Sequence, residues 1–110
     1  MSDVTIITSD MKMRGILDAK DDSVVIEGSF VGEIIAKRVF INKSGKFEGL
    51  LKSYETEIDG FFNGVLETEN LIISENGEVA GEIFAEGLSI DAGASFSGQV
   101  AGNLEQLIKN

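Results

Sequence analysis

The sequence contains no cysteine, histidine, proline or tryptophan. Without cysteine there are no disulfides, thiolate nucleophiles or cysteine-bound metals. Without histidine the chain lacks the usual general base and metal ligand of neutral pH. The absence of proline suits a backbone whose N–H groups are nearly all needed for hydrogen bonds between strands. We therefore expect a protein that is not an enzyme, with no catalytic residues, no metal and no cofactor.

Basic residues and long apolar runs are also scarce. Nine Lys and Arg stand against 19 Asp and Glu, which gives a formal net charge of −10. Such a surface repels phosphate backbones, so nucleic acid is not expected as a partner. Apolar runs such as Ile34-Ile35-Ala36 are too short to cross a bilayer. The start, Met1-Ser2-Asp3, has no basic region and apolar run of a secretory signal, so we expect a cytoplasmic protein.

Glycine is abundant, with 13 residues, and it marks a repeat. The motif Gly-x-apolar-x-Gly occurs at residues 28–32, 45–49, 60–64 and 77–81, with degenerate copies at 11–15 and 94–98. The closing glycines are 17 or 15 residues apart. Repeats of this length indicate a solenoid made of stacked units.

The residues between the motifs keep the same register. A large aliphatic residue lies two positions after every closing glycine: Leu17, Ile34, Leu51, Leu66, Ile83 and Val100. A pair of alternating apolar residues follows, as in Val24/Ile26 and Leu88/Ile90, and Thr56 is the one polar residue in these positions. Alternation with period two predicts half-buried strands.

Two architectures can carry such strands. An antiparallel meander would use Asn63-Gly64 and Asn76-Gly77 as hairpin turns, but it gives no reason for equivalent positions to keep one residue size. In a parallel solenoid equivalent residues stack on each other, and the glycines provide positive φ at corners. We therefore predict an all-β, single-stranded parallel β-helix of about six rungs over residues 11–102. Residues 1–10 would form a short N-terminal tail and residues 103–110 a C-terminal cap or tail.

The two ends of such a β-helix expose a rung of unpaired N–H and C=O groups, which soluble solenoids usually cap. The sequence offers little for this purpose: a strand-like segment at residues 4–8, and Leu104, Leu107 and Ile108 at helical spacing. We predict end-to-end association, with two modest caps on a monomer as the alternative. The expected polymerisation interface consists of Met11, Met13, Leu17, Phe96, Val100 and Leu104.

Outward-facing apolar residues form two further stripes. Val25, Phe40 and Ile72 align on one face, interrupted by Glu57, and Ile35 aligns with Phe84 on another. Stripes of this kind are typical of contacts between filaments or with a partner. We predict that these five apolar residues make lateral contacts.

The repeat resembles that of the bactofilins, bacterial polymer-forming cytoskeletal proteins. Residues 25–34, Val-Ile-Glu-Gly-Ser-Phe-Val-Gly-Glu-Ile, and residues 77–85 are close to the family pattern, and the resemblance covers roughly residues 11–102. It implies a right-handed β-helix that polymerises without nucleotide into non-polar filaments, which scaffold cell shape or envelope-associated processes. The implied partners are further copies of the chain, client proteins and cell-envelope enzymes.

Some members of that family attach to the inner membrane through a short N-terminal apolar motif. Here only Val4, Ile6 and Ile7 could do so, and they are interleaved with polar residues. The resemblance thus implies at most a weak association with the cytoplasmic face of the membrane.

Two other functions compete with the cytoskeletal one. Hexapeptide-repeat β-helix enzymes depend on histidine and advance by six residues, and neither holds here. A rigid β-helical adaptor that recruits protein partners without forming long filaments is the stronger alternative, because it would use the same outer stripes.

Overall fold

The computed structural model describes residues 4–102, all of whose regular structure is β-strand. The strands are β1 (Val4–Ile7), β2 (Lys12–Ile26), β3 (Ser29–Ile41), β4 (Lys46–Ile58), β5 (Phe61–Ile73), β6 (Glu78–Ile90) and β7 (Ser95–Ala101). Each strand pairs only with its neighbours in the sequence, in the order β1 to β7, and every pair is parallel. The parallel β-solenoid is confirmed, and the antiparallel meander is excluded.

Register follows the glycine repeat. Gly15 pairs with Gly32, Gly32 with Gly49, and the series continues through Gly64 and Gly81 to Gly98. One full turn of the chain is called a rung here. Each rung has a glycine segment, such as residues 29–36 of β3, and a second segment, such as 38–41.

Six segments of each kind stack, so the prediction of about six rungs is confirmed. The glycine segments are residues 12–19, 29–36, 46–53, 61–68, 78–85 and 95–101. The second segments are residues 4–7, 23–26, 38–41, 55–58, 70–73 and 87–90.

The core is the stack of inward-facing side chains. Ile26, Ile34, Ile41 and Leu51 are among the side chains that have no exposed surface. Phenylalanine rings stack directly over one another, with centroids 5.6 Å apart between Phe30 and Phe47 and 5.4 Å apart between Phe47 and Phe62. Parallel in-register pairing places like side chains at rung spacing, and flat rings fill that spacing well.

Thr56 is buried between the apolar residues Val39 and Leu71 of its column, as the sequence predicted. Its hydroxyl shares a hydrogen bond with that of Ser53 and donates one of 3.2 Å to that of Thr68. Thr68 in turn donates to the carbonyl of Tyr54 at 3.1 Å. Because burying an unpaired hydroxyl is costly, these mutual bonds allow polar groups inside the core of two adjacent rungs.

Differences in repeat length are absorbed away from the columns. The register shifts between Ala19 and Ser23, where the first full rung has extra residues. The corner between β4 and β5 contains only Asp59 and Gly60. Insertions and deletions at corners leave the stacking of side chains unchanged.

Positive φ was expected at the corners, but it occurs at the closing glycine of each motif, which lies within a strand, and not at the opening glycine, which lies at a corner. The six closing glycines all have positive φ, from 123° at Gly81 to 139° at Gly64. The opening glycines do not have positive φ. They are glycines because a Cβ would clash with the preceding rung: at Gly45 it would lie 2.2 Å from the carbonyl oxygen of Ile26.

The predicted boundary between an N-terminal tail and the β-helix at residue 11 is wrong. β1 pairs in parallel with residues 23–26 of β2, and Ile7 pairs with Ile26 in the core. Thr5 and Ile7 pair with the apolar residues Val24 and Ile26 of the next second segment, so β1 is the second segment of the first rung.

Candidate polymerisation surfaces

The N-terminal end of the solenoid is formed by β1 and the glycine segment of β2. β1 covers only residues 23–26 of β2, and no described strand pairs with the outer edge of residues 12–19 or of β1. Both edges therefore present unpaired N–H and C=O groups, which can extend the sheet by pairing with another strand.

Apolar side chains surround this edge. Met11 and Met13 are 40% and 39% exposed, and Leu17 is half-buried against the core. Met13 continues the phenylalanine column, since it pairs with Phe30, and Leu17 continues the column of Ile34. The core cross-section is thus open at this end of the described chain.

The C-terminal end is formed by β7 and the second segment of β6. β7 covers residues 78–84 of β6, and no described strand covers residues 87–90. Phe96 is partly buried against the core, and Val100 is 42% exposed. Leu104, the remaining predicted interface residue, lies outside the described residues.

Two residues that sequence reasoning missed belong to this end. Leu88 and Ile90 are 40% and 47% exposed, although their equivalents Leu71 and Ile73 in the rung below are buried. They form the last apolar pair of the repeat, and the sequence has no further pair of this kind after Val100. That missing pair was the signal that could have identified them.

The lateral stripes are reproduced in part. Val25, Phe40, Glu57 and Ile72 occupy one column on neighbouring strands and line a groove of about 330 Å³. Ile35 is half-exposed, but Phe84 is only 8% exposed, so its expected place on an exposed stripe is wrong.

The groove has a polar border as well. Arg38 and Glu55 form an exposed ion pair of 3.3 Å beside it. An exposed pair of this kind adds little stability, but it gives the groove a charged rim. A role of the stripes in lateral contact stays a prediction.

The suggested membrane residues are divided by the strand alternation. Val4 and Ile6 are 59% and 51% exposed, whereas Ile7 is buried in the core and cannot contact a membrane. Among residues 4–102, no helix is long and apolar enough to cross a membrane.

The electrostatics near the N-terminal end include one perturbed carboxyl group. The Thr8 hydroxyl donates a hydrogen bond of 2.7 Å to Asp10 and holds the pKa of this carboxyl below its ordinary value. Within the described residues, no three acidic side chains are grouped so that they could hold a metal ion.

Comparison with known proteins points to one family. A family model described as bactofilin, polymer-forming cytoskeletal, matches residues 5–101. No curated protein matches the sequence.

Two solved structures are similar to the chain. One is the cryo-EM reconstruction of Thermus thermophilus bactofilin double helical filaments. It has a TM-score of 0.84 and 25% sequence identity over 88% of this chain and 97% of that chain. The other is the cytoskeletal bactofilin BacA determined by solid-state NMR. It has a TM-score of 0.81 and 21% identity over 89% of this chain and 94% of that chain, and at this identity it supports the fold alone.

Proposed function

The chain belongs to the bactofilin family, and on this premise we propose that it assembles end to end, without nucleotide, into filaments that scaffold cell shape or envelope-associated processes. At the coarser level it is a polymer-forming cytoskeletal protein with a structural role. The finer proposal adds where the subunits meet and what they require.

The observation that carries the proposal is the state of the two terminal rungs. Each has an outer edge that pairs with no strand among residues 4–102, next to partly exposed side chains of the core columns: Met13 at one end and Phe96, Leu88 and Ile90 at the other. Contact with another end would pair the edges and bury these side chains. Both effects favour association, as when a strand is added to an open sheet.

The glycines support assembly without nucleotide. Phosphate-binding loops place glycines before the N-terminus of a helix. Here the repeat glycines lie in strands or corners, and a Cβ at Gly32 or Gly45 would lie 1.9 Å or 2.2 Å from a carbonyl oxygen of the preceding rung. Their role is close stacking of the backbone.

Electron microscopy of the purified chain at physiological salt, with neither nucleotide nor metal added, tests the proposal. We expect filaments from the wild type and short, folded species from Met13→Lys or Phe96→Glu. Val31→Lys is a matched control, because Val31 is 38% exposed, close to the 39% of Met13, but lies in β3, one strand inside the terminal segment. A stable wild-type monomer would contradict end-to-end assembly.

The groove lined by Val25, Phe40 and Ile72 is a candidate for lateral contact between filament strands. Because the related Thermus filaments are double helical, we propose that this groove joins two filament strands side by side. Phe40→Glu should then give single filaments of normal length. If the chain is instead an adaptor, the same change would abolish binding of a client protein to a chain that forms no filaments.

Membrane association is a weaker part of the proposal, and a cytoskeletal role implies the cytoplasm. Val4 and Ile6 are the exposed apolar residues of β1. We propose that they allow weak binding to the inner membrane when many copies are joined in a filament. Co-sedimentation with lipid vesicles should be reduced by Ile6→Asp, and equal sedimentation of both proteins would contradict this role.

A further inference from the structure

Charged residues are distributed unevenly along the axis of the solenoid. Residues 4–52 contain eight basic and seven acidic side chains, whereas residues 53–102 contain ten acidic and no basic ones. The formal net charges of these two halves are +1 and −10. Residues 103–110 do not compensate, because they contain one Glu and one Lys.

The acidic residues nearest to the C-terminal end are on the surface. β6 and the corner after it carry four of them, all exposed: Glu78, Glu82, Glu86 and Asp91. Among residues 4–102 the ion pairs are Arg38–Glu55 and Lys52–Glu67, which lie where the two halves meet. Within the described part of the chain the four carboxylates near the end therefore have no basic partner, and β7 itself carries no charge.

Two C-terminal ends in contact would bring these carboxylates close together. Rungs are about 4.8 Å apart, so the β6 carboxylates of two subunits joined through β7 would be within roughly 15 Å of each other. The Debye length is about 30 Å at 0.01 M salt and about 8 Å at 0.15 M. Salt therefore leaves about 60% of their repulsion at 0.01 M and only about 15% at 0.15 M.

The N-terminal end has no comparable charge. Residues 4–26 contain three basic and four acidic side chains, and Lys12 and Arg14 lie on the terminal glycine segment itself. Contact between two N-terminal ends meets little net repulsion. Contact between an N-terminal and a C-terminal end likewise meets little net repulsion.

We propose that ionic strength controls one kind of junction: contact between two C-terminal ends forms only when salt screens the carboxylates of β6, while contacts that include an N-terminal end form at any salt concentration. This inference rests on the end-to-end assembly proposed above and adds a regulation of it. A change in ionic strength would then alter filament length without altering the fold.

Proteins with one usable end provide the test. Met13→Lys blocks the N-terminal end and leaves the C-terminal one, and Phe96→Glu does the reverse. Dimerisation of each is measured by sedimentation equilibrium at 10 and 150 mM NaCl. We expect the dissociation constant of the Met13→Lys protein to fall at least about tenfold at the higher salt, and that of the Phe96→Glu protein to change by less than about threefold.

Two sets of substitutions in the Met13→Lys protein separate this cause from other effects of salt. Neutralising the four carboxylates of β6 and the corner after it should remove the salt dependence. The substitutions are Glu78→Gln, Glu82→Gln, Glu86→Gln and Asp91→Asn. Gln99 and Asn42 already occupy positions equivalent to Glu82 and Asp91, so these changes suit the fold. The matched control neutralises four carboxylates of the N-terminal half and should leave the dependence intact: Asp18→Asn, Asp21→Asn, Glu33→Gln and Glu48→Gln.

The outcomes separate the two proposals. Equal salt dependence of the two single-ended proteins would overturn the inference. So would a Met13→Lys protein that stays monomeric at both salt concentrations while the wild type forms filaments, because C-terminal ends would then not pair with each other. A wild type that stays monomeric at 150 mM NaCl would overturn end-to-end assembly itself.

Discussion

Adding one methyl group to a closing glycine should have very different effects in the middle and at the end of the solenoid. Gly49 and Gly15 have nearly the same backbone conformation, with φ of 132° and 137°. A Cβ at Gly49 would lie 1.9 Å from the carbonyl oxygen of Gly32, whereas a Cβ at Gly15 would meet nothing within 4 Å. Gly49→Ala and Gly15→Ala therefore share the conformational cost, and only the first adds a clash.

The size of the difference follows from these distances. The positive φ costs each alanine about 1–3 kcal/mol. At Gly49 the two rungs must also separate by about 1.5 Å to reach ordinary contact, which adds about 1–3 kcal/mol of overpacking and weakens neighbouring hydrogen bonds between rungs by about 1 kcal/mol each. We expect Gly49→Ala to lower the free energy of unfolding by about 2–4 kcal/mol more than Gly15→Ala does.

The assay is urea denaturation followed by circular dichroism. Both substitutions are introduced into a protein that also carries Met13→Lys and Phe96→Glu, since assembly would otherwise add to the apparent stability. If the two alanine variants differ by less than about 0.5 kcal/mol, the usual limit for independent surface changes, then close stacking of backbones is not what requires glycine in this column.

The same pair should rank in the opposite order when assembly is measured. At Gly32, Gly49 and the other internal closing glycines the missing Cβ points toward the preceding rung. A methyl group at Gly15 would therefore point out of the N-terminal end, at the position where another subunit would dock. With otherwise unchanged ends, Gly15→Ala should shorten filaments in electron micrographs although it unfolds less readily than Gly49→Ala. Filaments of wild-type length would mean that this end is not a junction.

Three further predictions concern single side chains. Phe47→Ala should lower the free energy of unfolding by about 3–5 kcal/mol, because it opens a cavity between stacked rings; Phe96→Ala in the terminal rung should cost the monomer clearly less in the same denaturation assay. Thr56→Val removes the donor to Thr68 and should cost about 1 kcal/mol by thermal unfolding; a gain of stability would mean that the hydroxyl cluster is a defect. The lowered pKa of Asp10 stabilises the fold above its unfolded value of 3.8, and this contribution is lost as the pH falls through the folded-state pKa. An NMR titration of Thr8→Val should find the pKa of Asp10 raised, and an unchanged pKa would rule out the hydroxyl as its cause.

The architecture could be predicted because in-register parallel stacking leaves a direct record in the sequence. The inward-facing columns hold mostly apolar residues of similar size, since every position contacts its own equivalents above and below. Leu17, Ile34 and Leu51 are separated by the repeat length and pair directly in the structure. Thr56 was recognised as the polar exception by the same comparison.

Features set by neighbours outside the repeat could not be predicted in this way. Leu88 and Ile90 occupy core positions of the repeat, yet their side chains are exposed. Exposure at these positions depends on whether another rung follows. Alternation along a strand predicts the direction in which Phe84 points, but not how much of its side chain the neighbouring residues cover, and Phe84 is buried. β1 is a second segment with no glycine motif before it. Four residues carry too little of the repeat for the sequence to distinguish β1 from a tail.

The residues of the terminal repeats favour contact of each end with another subunit. A solenoid that ends as a monomer replaces the inward residues of its last rungs by polar ones, because these face water. Here the first and last motifs have lost glycine character at Met11 and Ala94, yet they keep apolar residues in the core column, Met13 and Phe96. At Met11 the loss of the glycine is tolerated because no described rung precedes it to clash with a Cβ. Retention of the apolar residue is expected if another surface covers its exposed face, and unbranched methionine side chains adapt readily to a second surface. The terminal repeats thus differ from the internal ones in the way expected for a core that continues from one subunit into the next.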